Sequence, residues 1–187
     1  MPMAVTDQMV APRYAKALFE VASANNSLEA VHDELLELAT VIDQNPDLLA
    51  ALAGKDLATA RKDALLALLK RDCSELVQSL IDVVFVNGRI GGLSRVIDAF
   101  DRRFNEEAGI VKAQVTTAQT LSEAQAQAMR QAIAVKFAAK DVVLTQVVDT
   151  RIIGGVKVVS DDRIIDGTIA TRLGKLQKQL LTNTQKR

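Results

Sequence analysis

The chain has 187 residues, 49% of them apolar and 25% charged, and its 23 basic residues balance its 23 acidic ones. That length accommodates one medium domain or two small ones, each able to bury a core of its own. No apolar run approaches the roughly 18 residues that span a bilayer, and with Cys73 as the only cysteine an intrachain disulfide or a multi-cysteine metal site is excluded. Met1 to Val10 lacks the charged start and apolar middle of a signal peptide, so the protein is expected to stay where it is made, with the cytoplasm as default.

The zero net charge conceals an asymmetry. Residues 1–108 carry 11 basic and 17 acidic side chains, a net of −6, whereas residues 109–187 carry 12 and 6, a net of +6. Composition changes at the same place, from Ala and Leu at helical spacing to alternating Val, Ile and Thr. Two domains are therefore expected, 1–108 and 109–187, with a different partner for each. Nucleic acid is not among those partners: Phe137 is the only aromatic of the basic half, and its Lys and Arg residues are scattered.

Val10, Tyr14, Ala17, Leu18 and Val21 recur at the spacing of one helix face, and Ala11, Ala15, Phe19 and Ala22 form a second apolar stripe beside it. Pro12 is read as part of the opening turn, where a missing N–H is tolerated. A second helix carries Leu28, Val31, Leu35, Leu38 and Ile42, starts after Ser27 and ends before Asn45-Pro46. A short helical piece with Leu48, Leu49 and Leu52 runs to Gly54. Asp56 is expected to cap a fourth helix with Leu57, Ala64, Leu65, Leu68 and Leu69. The fifth starts near Ser74, presents Leu76, Val77, Leu80, Ile81, Val83, Val84 and Phe85, and stops at Asn87-Gly88. The sixth turns Leu93, Val96, Ile97, Phe100 and Phe104 inward and closes at Gly109.

Beyond Gly109, Val111, Ala113, Val115 and Thr117 alternate with polar residues as in a strand with one buried face. Ser122 and Gln125 have the spacing of a capping box ahead of a helix with Met129, Ile133 and Phe137. A strand over Val142 to Val148 follows. Gly154-Gly155 opens another strand, Asp161-Asp162 turns it back into Ile164-Ile165, and a last amphipathic helix carries Ile169, Leu173, Leu176 and Leu180. The expected fold is α+β: an N-terminal antiparallel bundle of about six helices, then a small C-terminal α/β domain.

Candidates for chemistry are few. His32 lies among carboxylates off the Leu stripe and is read as a solvated surface residue. Cys73, near a helix start whose dipole lowers a thiol pKa, is read as a small apolar filler and not a nucleophile. Gly88, Gly91 and Gly92 follow no strand, and Gly167 to Lys175 has the wrong spacing for a phosphate loop. Asp161, Asp162 and Asp166 match no calcium loop. No catalytic, cofactor or metal constellation emerges, which points to a binding role.

Three stretches carry a resemblance. Arg13-Tyr14-Ala15-Lys16-Ala17-Leu18-Phe19, Asn87-Gly88-Arg89, and the run from Ile153-Gly154-Gly155-Val156-Lys157-Val158 through Asp162-Arg163-Ile164-Ile165-Asp166-Gly167-Thr168-Ile169 to Arg172-Leu173 stand in one order over nearly the whole chain. Together they resemble the delta subunit of bacterial F-type ATP synthases and its mitochondrial counterpart, the oligomycin-sensitivity-conferring protein. In that C-terminal run Gly154, Gly155, Asp166, Gly167 and Thr168 read mainly as a folding signature, glycines for close backbone approach and Asp166 with Thr168 for a helix cap.

The resemblance implies a non-catalytic stator subunit at the top of the peripheral stalk, peripheral to the cytoplasmic face of the inner membrane, which it meets only through the complex. It implies that Tyr14, Leu18, Leu80, Val83, Val84 and Asn87 hold the amphipathic N-terminal helix of an alpha subunit between the first and fifth helices. It also implies that the last helix, with Arg172, Lys175 and Lys178, meets the C-terminal ends of the b subunits. The rival reading is a helical scaffold with an appended α/β domain outside the ATP synthase; an enzyme ranks third.

Overall fold

The computed structural model describes residues 7–54, 57–160 and 163–184, with side chains from 10 to 178 among them. The expected cap at Asp56, the expected turn at Asp161-Asp162 and the side chain of Leu180 lie outside these residues. The chain divides into two compact units, Met1–Phe104 and Asn105–Arg187. The division falls in the last turns of the sixth helix, before the change of composition at Gly109.

The first unit is built on α1 (Asp7–Ala24), α2 (Leu28–Gln44), α3 (Asp47–Ala53), α4 (Thr59–Lys70), α5 (Glu75–Val86) and α6 (Leu93–Ala108), with a 3-10 turn over Ile90–Gly92. Pro12 stands inside α1, not in its opening turn, so the carbonyl of Gln8 has no N–H from that position to accept. The α5–α6 corner shows how the chain stops a helix. Gly88 takes φ +68, its N–H donates to the Phe85 carbonyl at 2.8 Å, and the Arg89 N–H donates to Val84 at 2.9 Å. This Schellman arrangement satisfies carbonyls that the helix end would leave bare.

The bundle core joins Ala15, Phe19 and Ala22 of α1 to Val31 and Leu35 of α2, Val77, Ile81 and Val84 of α5, and Ile97 and Phe100 of α6. Phe19 and Phe100 meet with ring centroids 5.9 Å apart, tilted by 54°. α4 departs from the expected stripe. Leu66 and Leu69 are buried, Leu68 is exposed and Leu57 precedes the helix. The six residues from Ala64 to Leu69 are all apolar, so their spacing singles out no face and contact with the other helices decides which side is buried.

The second unit has β1 (Ile110–Thr117), α7 (Glu123–Phe137), β2 (Asp141–Val148), β3 (Val156–Ser160), β4 (Ile164–Asp166) and α8 (Ile169–Thr184). The sheet order is β2-β1-β3-β4: β1 and β2 run parallel and are joined through α7, and the other pairs are antiparallel. Ser122 and Gln125 do form a capping box at the start of α7. Ile133 of α7 packs with Ala113, Val115, Val142 and Val158 into a second core.

A clasp fixes the start of α8 to β3. The Gly167 N–H donates to the Val156 carbonyl at 2.9 Å and the Ile169 N–H to the Gly154 carbonyl at 3.0 Å. Gly155 has φ +87, and a Cβ there would stand 2.5 Å from the Gly167 carbonyl oxygen. Asp166 Oδ1 accepts from the Thr168 N–H at 3.0 Å and the Thr168 hydroxyl at 2.7 Å, while Oδ2 accepts from the Thr171 hydroxyl at 2.8 Å. The glycine pair and the Asp-Gly-Thr run are thus two halves of one contact.

Gly155→Ala is expected to destabilise the C-terminal unit by about 1–3 kcal/mol through the left-handed φ alone, with the backbone clash adding to it. Gly174→Ala, in α8 with nothing within 4 Å of a new Cβ, is expected to stabilise by roughly 0.5–1 kcal/mol. Denaturant unfolding followed by circular dichroism measures both; equal effects at the two glycines would remove the clasp as the cause.

The bonds to Asp166, that from the Thr168 N–H first and those from the Thr168 and Thr171 hydroxyls after it, hold its carboxyl below the ordinary value of 3.8. A carboxyl depressed by folding stabilises the fold above its unfolded pKa, and that stabilisation is lost as pH falls through the folded value. Asp166→Asn is expected to lower stability at neutral pH and to flatten the loss below pH 3.8. Unfolding midpoints over a pH series test this, and parallel profiles for the two proteins would contradict it.

Candidate partner-binding groove

α1 carries more apolar surface than the bundle covers. Ala11, Ala15, Phe19 and Ala22 are buried, whereas Tyr14 is half-buried and Ala17 and Val21 are exposed. Beside this outer stripe runs α5, in which Val77, Ile81 and Val84 face inward and Val83 is 48% exposed. Tyr14, Ala17, Leu18 and Val21 of α1 and Leu76, Ser79, Leu80 and Val83 of α5 line an open groove of roughly 560 Å³, mouth included. Its lining is almost wholly carbon. The one hydroxyl contributed by α5, that of Ser79, donates to the Glu75 carbonyl one turn back at 2.7 Å.

Of the six residues assigned to this groove by resemblance, Tyr14, Leu18, Leu80 and Val83 line it together. Leu18 and Leu80 are each only 7% exposed and form the floor. Val84 is fully buried on the core side of α5. Asn87 is exposed, and its side-chain amide donates to the Val83 carbonyl, an interaction that closes the end of the helix. Ala17, Val21, Leu76 and Ser79 were not singled out as groove residues. The apolar stripe of α1 contained the sign for Ala17 and Val21, since a helix needs only one apolar face for its core.

In the C-terminal unit, α8 turns its apolar stripe outward. Ile169, Leu173 and Leu176 are all exposed, as are Arg172, Lys175 and Lys178. Gly154, Gly155, Asp166, Gly167 and Thr168 meet in the clasp at the start of that helix.

One residue differs from its sequence reading. His32 is not a solvated residue: its side chain is 12% exposed, and its Nε2–H donates to Asp101 at 2.9 Å. Its ring also lies flat on Phe104, with centroids 3.9 Å apart and planes within 10°. Both partners stand on α6, distant in sequence, so the spacing along α2 gives no sign of them. Cys73 is half-buried and its thiol donates to the Leu69 carbonyl. Burial pushes that thiol up, and the nearby Glu34, Asp72 and Glu37 push it further, so the helix start does not activate it. Among the described residues no group of three or more His, Cys, Asp or Glu side chains is placed to hold a metal ion, and no helix is long and apolar enough to cross a membrane.

Residues 10–180 match the family described as ATP synthase delta (OSCP) subunit. ATP synthase subunit delta of Lacticaseibacillus casei (strain BL23) is 46% identical over 181 residues, covering 97% of this chain and 100% of that protein. The subunit delta of Lactiplantibacillus plantarum is 39% identical over 181 residues with the same coverage. Among solved structures, a chain of the Toxoplasma gondii mitochondrial ATP synthase hexamer superposes with a TM-score of 0.76 at 26% identity, covering 92% of this chain and 97% of that one. Two helices with an apolar groove between them, a glycine clasp at the start of α8 and matches over almost the whole length lead to one conclusion: the chain belongs to the ATP synthase delta (OSCP) subunit family.

Proposed function

We propose that this peripheral-stalk subunit of an ATP synthase is a non-catalytic link with two docking ends, residues 1–108 gripping the catalytic head and residues 109–187 gripping the stalk. The observation that carries the reading is the groove between α1 and α5, apolar along its length and open to solvent. An amphipathic helix lays its apolar face into such a groove, and the N-terminal helix of an alpha subunit is the occupant. Tyr14 and Val83 are its outer walls, and Leu18 and Leu80 its floor. Tyr14 combines a ring that fills space with a hydroxyl that stays wet, as interface anchors do.

In the C-terminal unit α8 presents Ile169, Leu173 and Leu176 beside Arg172, Lys175 and Lys178. A helix with an unburied apolar stripe and a basic flank suits the C-terminal ends of the b subunits. The link works mechanically, keeping the head from turning with the rotor. It lies on the cytoplasmic face of the membrane and is held there through the complex. Family membership leaves no ground for a scaffold outside the ATP synthase.

Tyr14→Ala is expected to weaken binding of a synthetic alpha N-terminal peptide by about 1–3 kcal/mol, read by titration calorimetry, with little loss of thermal stability. Val83→Asp, which places a charge on the exposed wall, is expected to weaken it at least as much. Equal losses of affinity and stability would make these residues part of the core, and undiminished binding by both variants would remove the groove as the site.

A further inference from the structure

α2 and the last turn of α4 leave a second apolar surface uncovered. Leu38 and Leu69 are nearly buried, but Val41 and Leu68 beside them are 45% and 66% exposed. With Glu34, Glu37, Asp72 and Cys73 they line an open cleft of roughly 520 Å³, mouth included. Glu34, Leu38 and Val41 are spaced four and three residues apart, so α2 turns them to one side over a length of roughly 10 Å, about two helical turns. The floor offers little hydrogen bonding, because the Cys73 thiol already donates to the Leu69 carbonyl. Its rim is acidic. No Lys, Arg or His is among the lining residues, and α2 as a whole has five carboxylates and no lysine or arginine.

The cations adjacent in sequence do not cancel that charge. Lys70 is paired with Asp82 at 2.7 Å, and Arg71, exposed beside Asp72, is one charge against three. Glu34 accepts from the Ser74 N–H at 2.9 Å, a neutral donor. The Cys73 thiol registers the resulting field: burial pushes it up, Glu34, Asp72 and Glu37 push it further, and the charges that act on it are all negative.

We propose that this cleft is a docking site for a short basic amphipathic helix of another protein. Apolar residues of that helix, three and four apart, would cover Val41 and Leu68, and its Lys or Arg residues would meet Glu34, Glu37 and Asp72. An apolar surface alone would accept any apolar segment; the carboxylates turn away acidic ones. The cleft lies on α2 and α4, whereas the groove of the proposed function lies on α1 and α5, so the inference does not rest on that groove.

Cys73 is the only cysteine, so alkylation of the full chain by a neutral maleimide, read by mass, reports this cleft alone. A synthetic helix of Leu and Lys is expected to slow the labelling severalfold, and the same pattern in Leu and Glu to leave it unchanged. No slowing by the Lys peptide overturns the proposal, and so does equal slowing by both, which would mean that charge plays no part. The slowing is expected to vanish in Glu37→Lys with Asp72→Lys and to persist in Glu106→Lys with Glu107→Lys, exposed at the end of α6, each variant being compared with and without peptide. If the first variant keeps it, the cleft is not the site; if both lose it, net charge is responsible. Either result overturns the proposal. Glu37→Gln with Asp72→Asn replaces the first variant if circular dichroism shows the latter unfolded. Labelling that slows as the chain itself is concentrated, together with a dimer mass, would make a second copy the occupant and overturn the assignment to another protein.

Discussion

A helix can turn only part of its surface toward a core, and α1 is apolar on more of its circumference than that. Its small residues Ala11, Ala15 and Ala22 are almost fully buried, which lets neighbouring helices approach closely, while Phe19 reaches Phe100 of α6. Tyr14, Ala17 and Val21 are left on the outside. α5 repeats the pattern with Val77, Ile81 and Val84 inside and Val83 outside. A groove between two such helices follows from the surplus, since among the described residues Tyr14, Ala17, Val21 and Val83 are left uncovered or only half covered. Water against this surface costs roughly 25 cal/mol per Å², a cost that an apolar helix laid in the groove would remove.

The C-terminal unit depends on a different constraint, the approach of two backbone segments closer than a side chain allows. A Cβ at Gly155 would meet the Gly167 carbonyl oxygen at 2.5 Å and the Thr168 Cα at 2.9 Å. The chain therefore needs glycine there, and the bonds between Gly154, Val156, Gly167 and Ile169 hold the start of α8 beside β3. Asp166 and Thr168 then occupy the first N–H groups of the helix, which have no partners within it. The result is a helix anchored at one end whose apolar stripe this unit does not bury.

Much of this was legible in residue spacing. The Ser122–Gln125 capping box, the Gly88 stop and the Asp166–Thr168 cap each depend on residues close in sequence, and local chemistry of that kind is readable without a fold. α4 was less legible, because an unbroken apolar run from Ala64 to Leu69 contains no period. His32 was misread for the opposite reason. Its neighbours on α2 are polar, and what buries it, Phe104 and Asp101, comes from α6.

Residue types and their spacing alone point to most of the helices and strands, the opposite charges of the two halves and the glycine-rich run that marks the family. All of these are properties of type and spacing along one segment. The tertiary structure alone decided which face of α1 remained outside, that Val84 lies in the core while Val83 beside it lines a groove, and that Gly155 answers Gly167. It also decided that β2 stands at the edge of the sheet. Each of these is settled by contact between segments far apart in the chain, and spacing within one segment does not encode which other segment will meet it.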